Sequence, residues 1–146
     1  MFGVFSDLGI RFEYPPDWEI DVCDDGSRTN ISLEAPGGSA FALLTLDEDR
    51  PTPAEMAEEA LEAMRAEYPG LEDVPAREVI NGYKATGHDL SFLSLDMVTW
   101  CSIRCFRTPR RTIFFLGQWT DLDDERIEQQ LRALRATIEE TDAGSP

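Results

Sequence analysis

Basic side chains are what this chain has least of. Lys84 is its single lysine and His88 its single histidine, and 13 lysines and arginines stand against 29 aspartates and glutamates for a net charge of −16 at pH 7. A field of that sign repels phosphate backbones, so nucleic acid and anionic membrane surfaces are disfavoured as partners. One imidazole excludes histidine-rich metal centres and argues against a hydrolytic triad. Set in a run with Leu90 and Phe92, His88 reads as a hydrogen-bonded structural residue.

Cysteine is also scarce. Cys23, Cys101 and Cys105 are an odd number, with neither the C-x-x-C of a redox enzyme nor the paired spacing of a zinc knuckle. In a strand, Cys101 and Cys105 would share a face roughly 13 Å apart at about 3.3 Å per residue, beyond disulfide reach. Three reduced, buried thiols are expected. Long apolar runs are missing too. Residues 1–7 carry no basic region, no run of signal-peptide length and no lipidation cysteine, and no later segment is apolar enough to span a bilayer, so the expectation is a cytoplasmic protein. Ser27, Ser39 and Ser102 lie outside any G-x-S-x-G pattern. Asp121, Asp123, Asp124 and Glu125 lack the spacing of a calcium loop and read as acids at a helix start, and Asp24-Asp25-Gly26 reads as a turn. No catalytic residue, metal or cofactor is expected.

What the chain does have is strand pattern. Tyr83 to Trp119 reads as three long antiparallel strands: Asn81-Gly82 opens them with the strongest short hairpin signal, a second turn falls at Ser94-Leu95-Asp96, and a third at Thr108-Pro109-Arg110-Arg111. Met97 to Arg107 carries Cys101, Ile103 and Cys105 on one face and Val98, Trp100 and Phe106 on the other. Thr112 to Trp119 likewise sends Phe114 and Leu116 one way and Ile113, Phe115 and Trp119 the other, which implies a sheet covered on both faces.

Before the meander, Phe2, Val4, Phe5 and Leu8 form an apolar leader, either a short edge strand or a docked segment. Gly9 to Tyr14 alternates like a half-buried strand that Pro15-Pro16 must end. Further strands follow over Glu19–Cys23, Asn30–Glu34 and Ala40–Leu46. Thr52, Pro53 and Glu55 make a capping box for a helix whose apolar stripe is Met56, Ala57, Ala60, Leu61, Met64 and Tyr68 and which Pro69-Gly70 stops. An acidic link over Leu71–Pro75 leads to a short strand at Arg77–Ile80. A last helix capped by Asp121 runs to about Glu139 with Ile127, Leu131, Leu134 and Ile138 on one stripe. The pattern describes one α+β domain over residues 1–140, a central antiparallel sheet covered by helices on both faces in an α/β/α sandwich, with a disordered tail over 141–146.

The segment Ile10-Arg11-Phe12-Glu13-Tyr14-Pro15-Pro16-Asp17-Trp18 resembles the opening signature of the PsbP-like families, in which a strand ending in Tyr-Pro is followed within a few residues by Gly-Trp. Asp17 stands where the family usually has glycine, and Asp tolerates left-handed conformations better than most residues. The layout downstream is similar as well, with a helix after the fourth strand, Asn81-Gly82 before the long strands and a closing helix. The resemblance implies a PsbP-like fold for which Tyr14, Pro15 and Trp18 are fold-making. It also implies a binding role, since the family includes a photosystem extrinsic subunit, a yeast Ran-binding transport factor, bacterial lipoproteins and secretion chaperone-adaptors.

One feature departs from the acidic background. Arg104, Arg107, Arg110 and Arg111, four of the twelve arginines, fall within eight positions on a strand and its hairpin turn. Pro109, Arg110 and Arg111 are expected at an exposed tip, and the four arginines form a candidate contact for an acidic protein partner or for the acidic face of a second copy in a homodimer; the plainer alternative is pairing with nearby carboxylates. Two functional readings stand: a non-catalytic binding or adaptor module, and a small-ligand or enzymatic domain using Trp18, Trp100, Phe106, Phe115 and Trp119 as an aromatic pocket.

Overall fold

A computed structural model describes residues 2–37 and 39–141. Among these the chain forms ten strands and two helices: β1 (Gly3–Asp7), β2 (Ile10–Tyr14), β3 (Glu19–Asp25), β4 (Arg28–Glu34), β5 (Phe41–Asp47), α1 (Pro53–Glu67), β6 (Glu72–Ile80), β7 (Tyr83–Ser94), β8 (Met97–Arg107), β9 (Thr112–Thr120), α2 (Arg126–Ala136) and β10 (Glu139–Glu140). Seven strands make one sheet in the order β3-β4-β5-β9-β8-β7-β6, antiparallel throughout. A second, three-stranded sheet runs β1-β2-β10.

The turns form for the reasons their residues give. Asn81 and Gly82 both take positive φ (47° and 86°), as a two-residue primed turn requires. Leu95 (φ 51°) and Asp96 (φ 63°) make the same turn with less suitable residues. Thr52 caps α1 by accepting the Glu55 N–H at 3.3 Å, with Pro53 in the first turn.

The two faces of the large sheet carry two cores. On one, Met56, Ala57 and Leu61 of α1 pack on Leu90, Phe92, Cys101, Ile103, Cys105 and Phe114. On the other, Leu131 and Leu134 of α2, Ile138 beyond its end, and Ile10 and Phe12 of β2 pack on Leu44, Phe106, Ile113 and Phe115. Both faces are therefore covered and the layering is α/β/α, but the second cover is a helix together with the small sheet. Trp18 is buried in that second core, and its backbone N–H donates to the Pro15 carbonyl oxygen at 3.1 Å across the turn that ends β2. Asp17 is not among the residues with positive φ, so the turn does not need the glycine usual there.

Several boundaries depart from the expected ones. Leu71–Pro75 is no link: β6 begins at Glu72 and includes Pro75. It is an edge strand, where a missing N–H costs no ladder bond. The last helix begins at Arg126, five residues after Asp121, because the intervening acids are used in turns. Asp123 accepts the Thr120 N–H at 2.7 Å, and Asp124 accepts the Arg126 N–H at 2.9 Å. It ends at Ala136, after which Glu139–Glu140 pairs with Ile10 and Arg11. Of the expected tail, Thr141 donates its N–H to the Gly9 carbonyl oxygen at 2.8 Å; residues 142–146 lie outside those described. Cys23 is exposed rather than buried, on the edge strand β3, whereas Cys101 and Cys105 are buried; all three are free thiols.

Candidate functional site

On the α2 side, β5 and β9 are closely covered because Ala42 and Gly117, directly opposite each other, are small. A Cβ on Gly117 would come within 3.3 Å of Leu131 of the helix. Towards β8, β7 and β6 the helix leaves a groove of about 760 Å³, within the size range of ligand pockets.

Its floor is set by the two-residue alternation of the strands. Trp100, Ser102 and Arg104 point the same way from β8; Asp89, opposite Ser102, joins them from β7, and Glu78 from β6. Arg104 is buried and spans both carboxylates. Its Nε donates to Glu78 Oε1 at 2.5 Å, and its Nη1 and Nη2 donate to Asp89 Oδ1 and Oδ2 at 3.0 and 3.2 Å. Ser102 Oγ donates to the same Asp89 oxygen at 2.9 Å. Burial opposes the charge on Arg104, but its bonds and attraction to Asp89 and Glu78 outweigh that and raise its pKa. Burial likewise pushes the Asp89 carboxyl up, and the bonds and charge of Arg104, with the Ser102 bond, hold it below its ordinary value of 3.8.

The wall is α2. Arg135 lies over the floor, with Nη2 3.1 Å from the Glu78 oxygen that already accepts from Arg104, and its guanidinium is 5.8 Å from the centre of the Phe115 ring. Its Nε–H is buried with no acceptor among the described residues. Burial, the largest influence, lowers the Arg135 pKa; Glu78 opposes this and Arg104 adds to it. Arg132 pairs along the helix with Glu128 at 2.6 Å. At one end Trp100 and Trp119, cross-strand partners, stack with centroids 6.1 Å apart and planes inclined by 28°. Beyond them lie the acids at the start of α2.

Of the four arginines expected at one exposed edge, two are elsewhere. Arg104 belongs to the groove floor. Arg111 is buried and reaches Glu140 at 2.9 Å, Glu48 at 3.5 Å and the Gly9 carbonyl oxygen at 3.3 Å, tying the small sheet to the β8–β9 hairpin. Its alternation explains this: the residue before β9 points inward under β10. Arg107 and Arg110 are exposed, and Arg107 donates to the Arg50 carbonyl oxygen. Tyr14 and Pro15 stand at the end of β2 beside the turn, with Tyr14 packed on the core. The five aromatic residues divide: Trp18, Phe106 and Phe115 fill the core, while Trp100 and Trp119 line the groove.

Arg132, Arg135, Glu78 and Asp89 were not legible as site residues. The signal was Arg135 itself, four residues after Leu131 and so within the apolar stripe of the helix, where a charge needs a buried partner. His88 is held on the opposite face, with Nδ1 2.7 Å from Asp73 and Nε2 3.1 Å from Glu58 of α1.

No protein-family model matches the sequence, and no curated protein matches it. Solved structures do. The fold superposes on cyanobacterial PsbP (CyanoP) of Synechocystis with a TM-score of 0.67 at 11% identity, covering 95% of this chain and 92% of that one. LpqN of Mycobacterium tuberculosis, described as involved in cell envelope biogenesis, gives 0.60 at 13% identity over 97% and 91%. A structure from Bacteroides thetaiotaomicron gives 0.57 at 11% identity over 90% of this chain, which spans only 45% of that longer one. The fold is PsbP-like. Among the described residues no helix is long and apolar enough to cross a membrane.

Proposed function

We propose that the protein is a non-catalytic binding module, and that the groove between α2 and β6–β8 is where it holds a protein partner. The observation that carries this reading is the groove's composition. Two buried arginines, Arg104 and Arg135, share one carboxylate oxygen beside a half-buried tryptophan pair, in an open depression on an otherwise strongly acidic chain. Aromatic and arginine side chains in partly desolvated pockets are the usual anchors of protein interfaces. The alternative, a small-ligand or enzymatic domain, is favoured by the same tryptophan pair. Against it, both nitrogens of His88 already face carboxylates, and Ser102 Oγ donates to Asp89, so neither is poised as a base–nucleophile pair.

The test is capture of partners by the wild-type chain and by an Arg132→Glu variant, an exposed position on the groove wall. A protein recovered intact with the wild type and lost with the variant supports the reading. One retained by the variant places the contact elsewhere, and a small molecule recovered chemically altered makes the enzymatic reading the right one.

A further inference from the structure

We infer that the group the groove recognises is a free C-terminal carboxylate preceded by an aromatic or other flat apolar side chain, presented by the end of a partner's chain. This rests on the reading of the groove as a docking site and goes further by naming what enters it.

The first observation is the state of Arg135. It is a long cation held nine-tenths buried, which costs side-chain entropy and desolvation. In return it has a single ion partner among the described residues, Glu78, through an oxygen that already accepts from Arg104 at 2.5 Å. A buried guanidinium with an unaccepted Nε–H is a rare arrangement in folded proteins, so Arg135 is held with fewer acceptors than it has donors, and the part of its side chain that remains exposed lines the groove, where an incoming acceptor adds one.

The second is charge. Arg104, Arg132 and Arg135 line the groove against Glu78, Asp89 and Glu128, three positive groups to three negative, while Arg77 alternates with Glu78 and lies on the opposite face with His88. A carboxylate brings a single negative charge to this balanced set, whereas a phosphate at close to two charges meets the surrounding −16 field more strongly. Carboxylate also matches the planar fork of arginine, which binds it bidentately.

The third is spacing. The Arg104 head leans back to Asp89, which lies opposite Ser102. Ser102 is two residues from Trp100 on one face of β8, roughly 7 Å along a strand rising about 3.3 Å per residue. A single C-terminal residue covers that span, with its carboxylate at the arginines and its side chain against Trp100. The acids beyond the tryptophan pair repel a second anion there, which fixes the orientation.

The probe is acetyl-alanyl-alanyl-phenylalanine and its C-terminal amide, titrated calorimetrically into wild-type protein and into Arg135→Gln and Arg132→Gln variants. The acid is expected to bind wild type at least about tenfold more tightly than the amide, and this preference should collapse in Arg135→Gln and fall in Arg132→Gln. Equal binding of acid and amide overturns the inference, as does a preference that survives both substitutions or the absence of binding by either probe. If Arg135→Gln does not fold, the exposed Arg132→Gln variant decides by the same criterion. If wild type shows no carboxylate preference while it still captures a partner through Arg132, the inference fails and the docking reading stands; if wild type shows neither, both fail.

Discussion

Arg104 is the residue on which the groove turns. Replaced by Met it would leave Asp89 with only the Ser102 bond and would transfer Glu78 wholly to Arg135. Because Asp89 is half exposed and Glu78 keeps a partner, the expected loss is below that of a fully buried pair, about 1–3 kcal/mol in denaturant unfolding. The pH dependence has a definite sign. The Asp89 pKa is lowered on folding, so its contribution is complete above the ordinary carboxylate value and is lost as pH falls through the lowered folded-state pKa. The stability gap between wild type and Arg104→Met should therefore narrow on acidification below about pH 4; a gap that widens there contradicts the assignment. The cysteines give a second residue-scale expectation. Burial pushes the Cys101 thiol, with Asp89 adding to it, and the Cys105 thiol up to about 12. In native protein at mildly alkaline pH a thiol reagent should label Cys23 alone, and all three only after unfolding; rapid labelling of Cys101 in the native state would show the β8 core to be open.

At the scale of elements, the close approach of β7 to β8 at Gly87 is the most sensitive point. A Cβ there would lie 1.7 Å from the Ile103 carbonyl oxygen, so Gly87→Ala must part the two strands that carry Asp89, Ser102 and Arg104. It should cost at least the 1–3 kcal/mol typical of overpacking, about as much as a lost core contact. Trp18→Ala should cost about 3–5 kcal/mol through the cavity it leaves under β2. A loss below about 1 kcal/mol in either case would contradict the packing described. Much at this scale was legible in the sequence. The Thr52 cap of α1, the Asn81-Gly82 turn and the limits of β8 follow from propensities and turn chemistry that act over a few residues. What was not legible depends on pairing partners far away in the chain. Glu139–Glu140 becomes a strand only because β2 offers it an edge. Glu72–Pro75 can extend β6 despite its proline only because no strand lies beyond it. Asp121 is not a cap because Thr120 and Asp123 close a turn first. The groove was illegible for the same reason: Glu78, Asp89, Arg104 and Arg135 lie on four separate elements, and local patterning carries no information on their meeting. The arginine run at 104–111 misled because its members alternate between faces, so that proximity in sequence became separation in space.

For the molecule as a whole, the charge of −16 acts against compactness, and salt that screens it over about 10 Å at 0.1 M should raise the melting temperature. Binding at the groove should respond oppositely. Attraction between a negative ligand end and the arginines weakens as salt rises, even though the fold becomes more stable. A chain whose stability and ligand affinity both rose with salt would point to an apolar contact instead.

The most direct test of the groove as the binding surface is amide chemical-shift mapping of isotope-labelled protein titrated with the phenylalanine-terminated peptide acid. The account predicts perturbations concentrated on Ala76–Glu78, Asp89, Trp100–Arg104, Trp119 and Arg132–Arg135. Shifts confined to the α1 face around Glu58 and His88, or to the exposed hairpin at Arg107–Arg110, would contradict it.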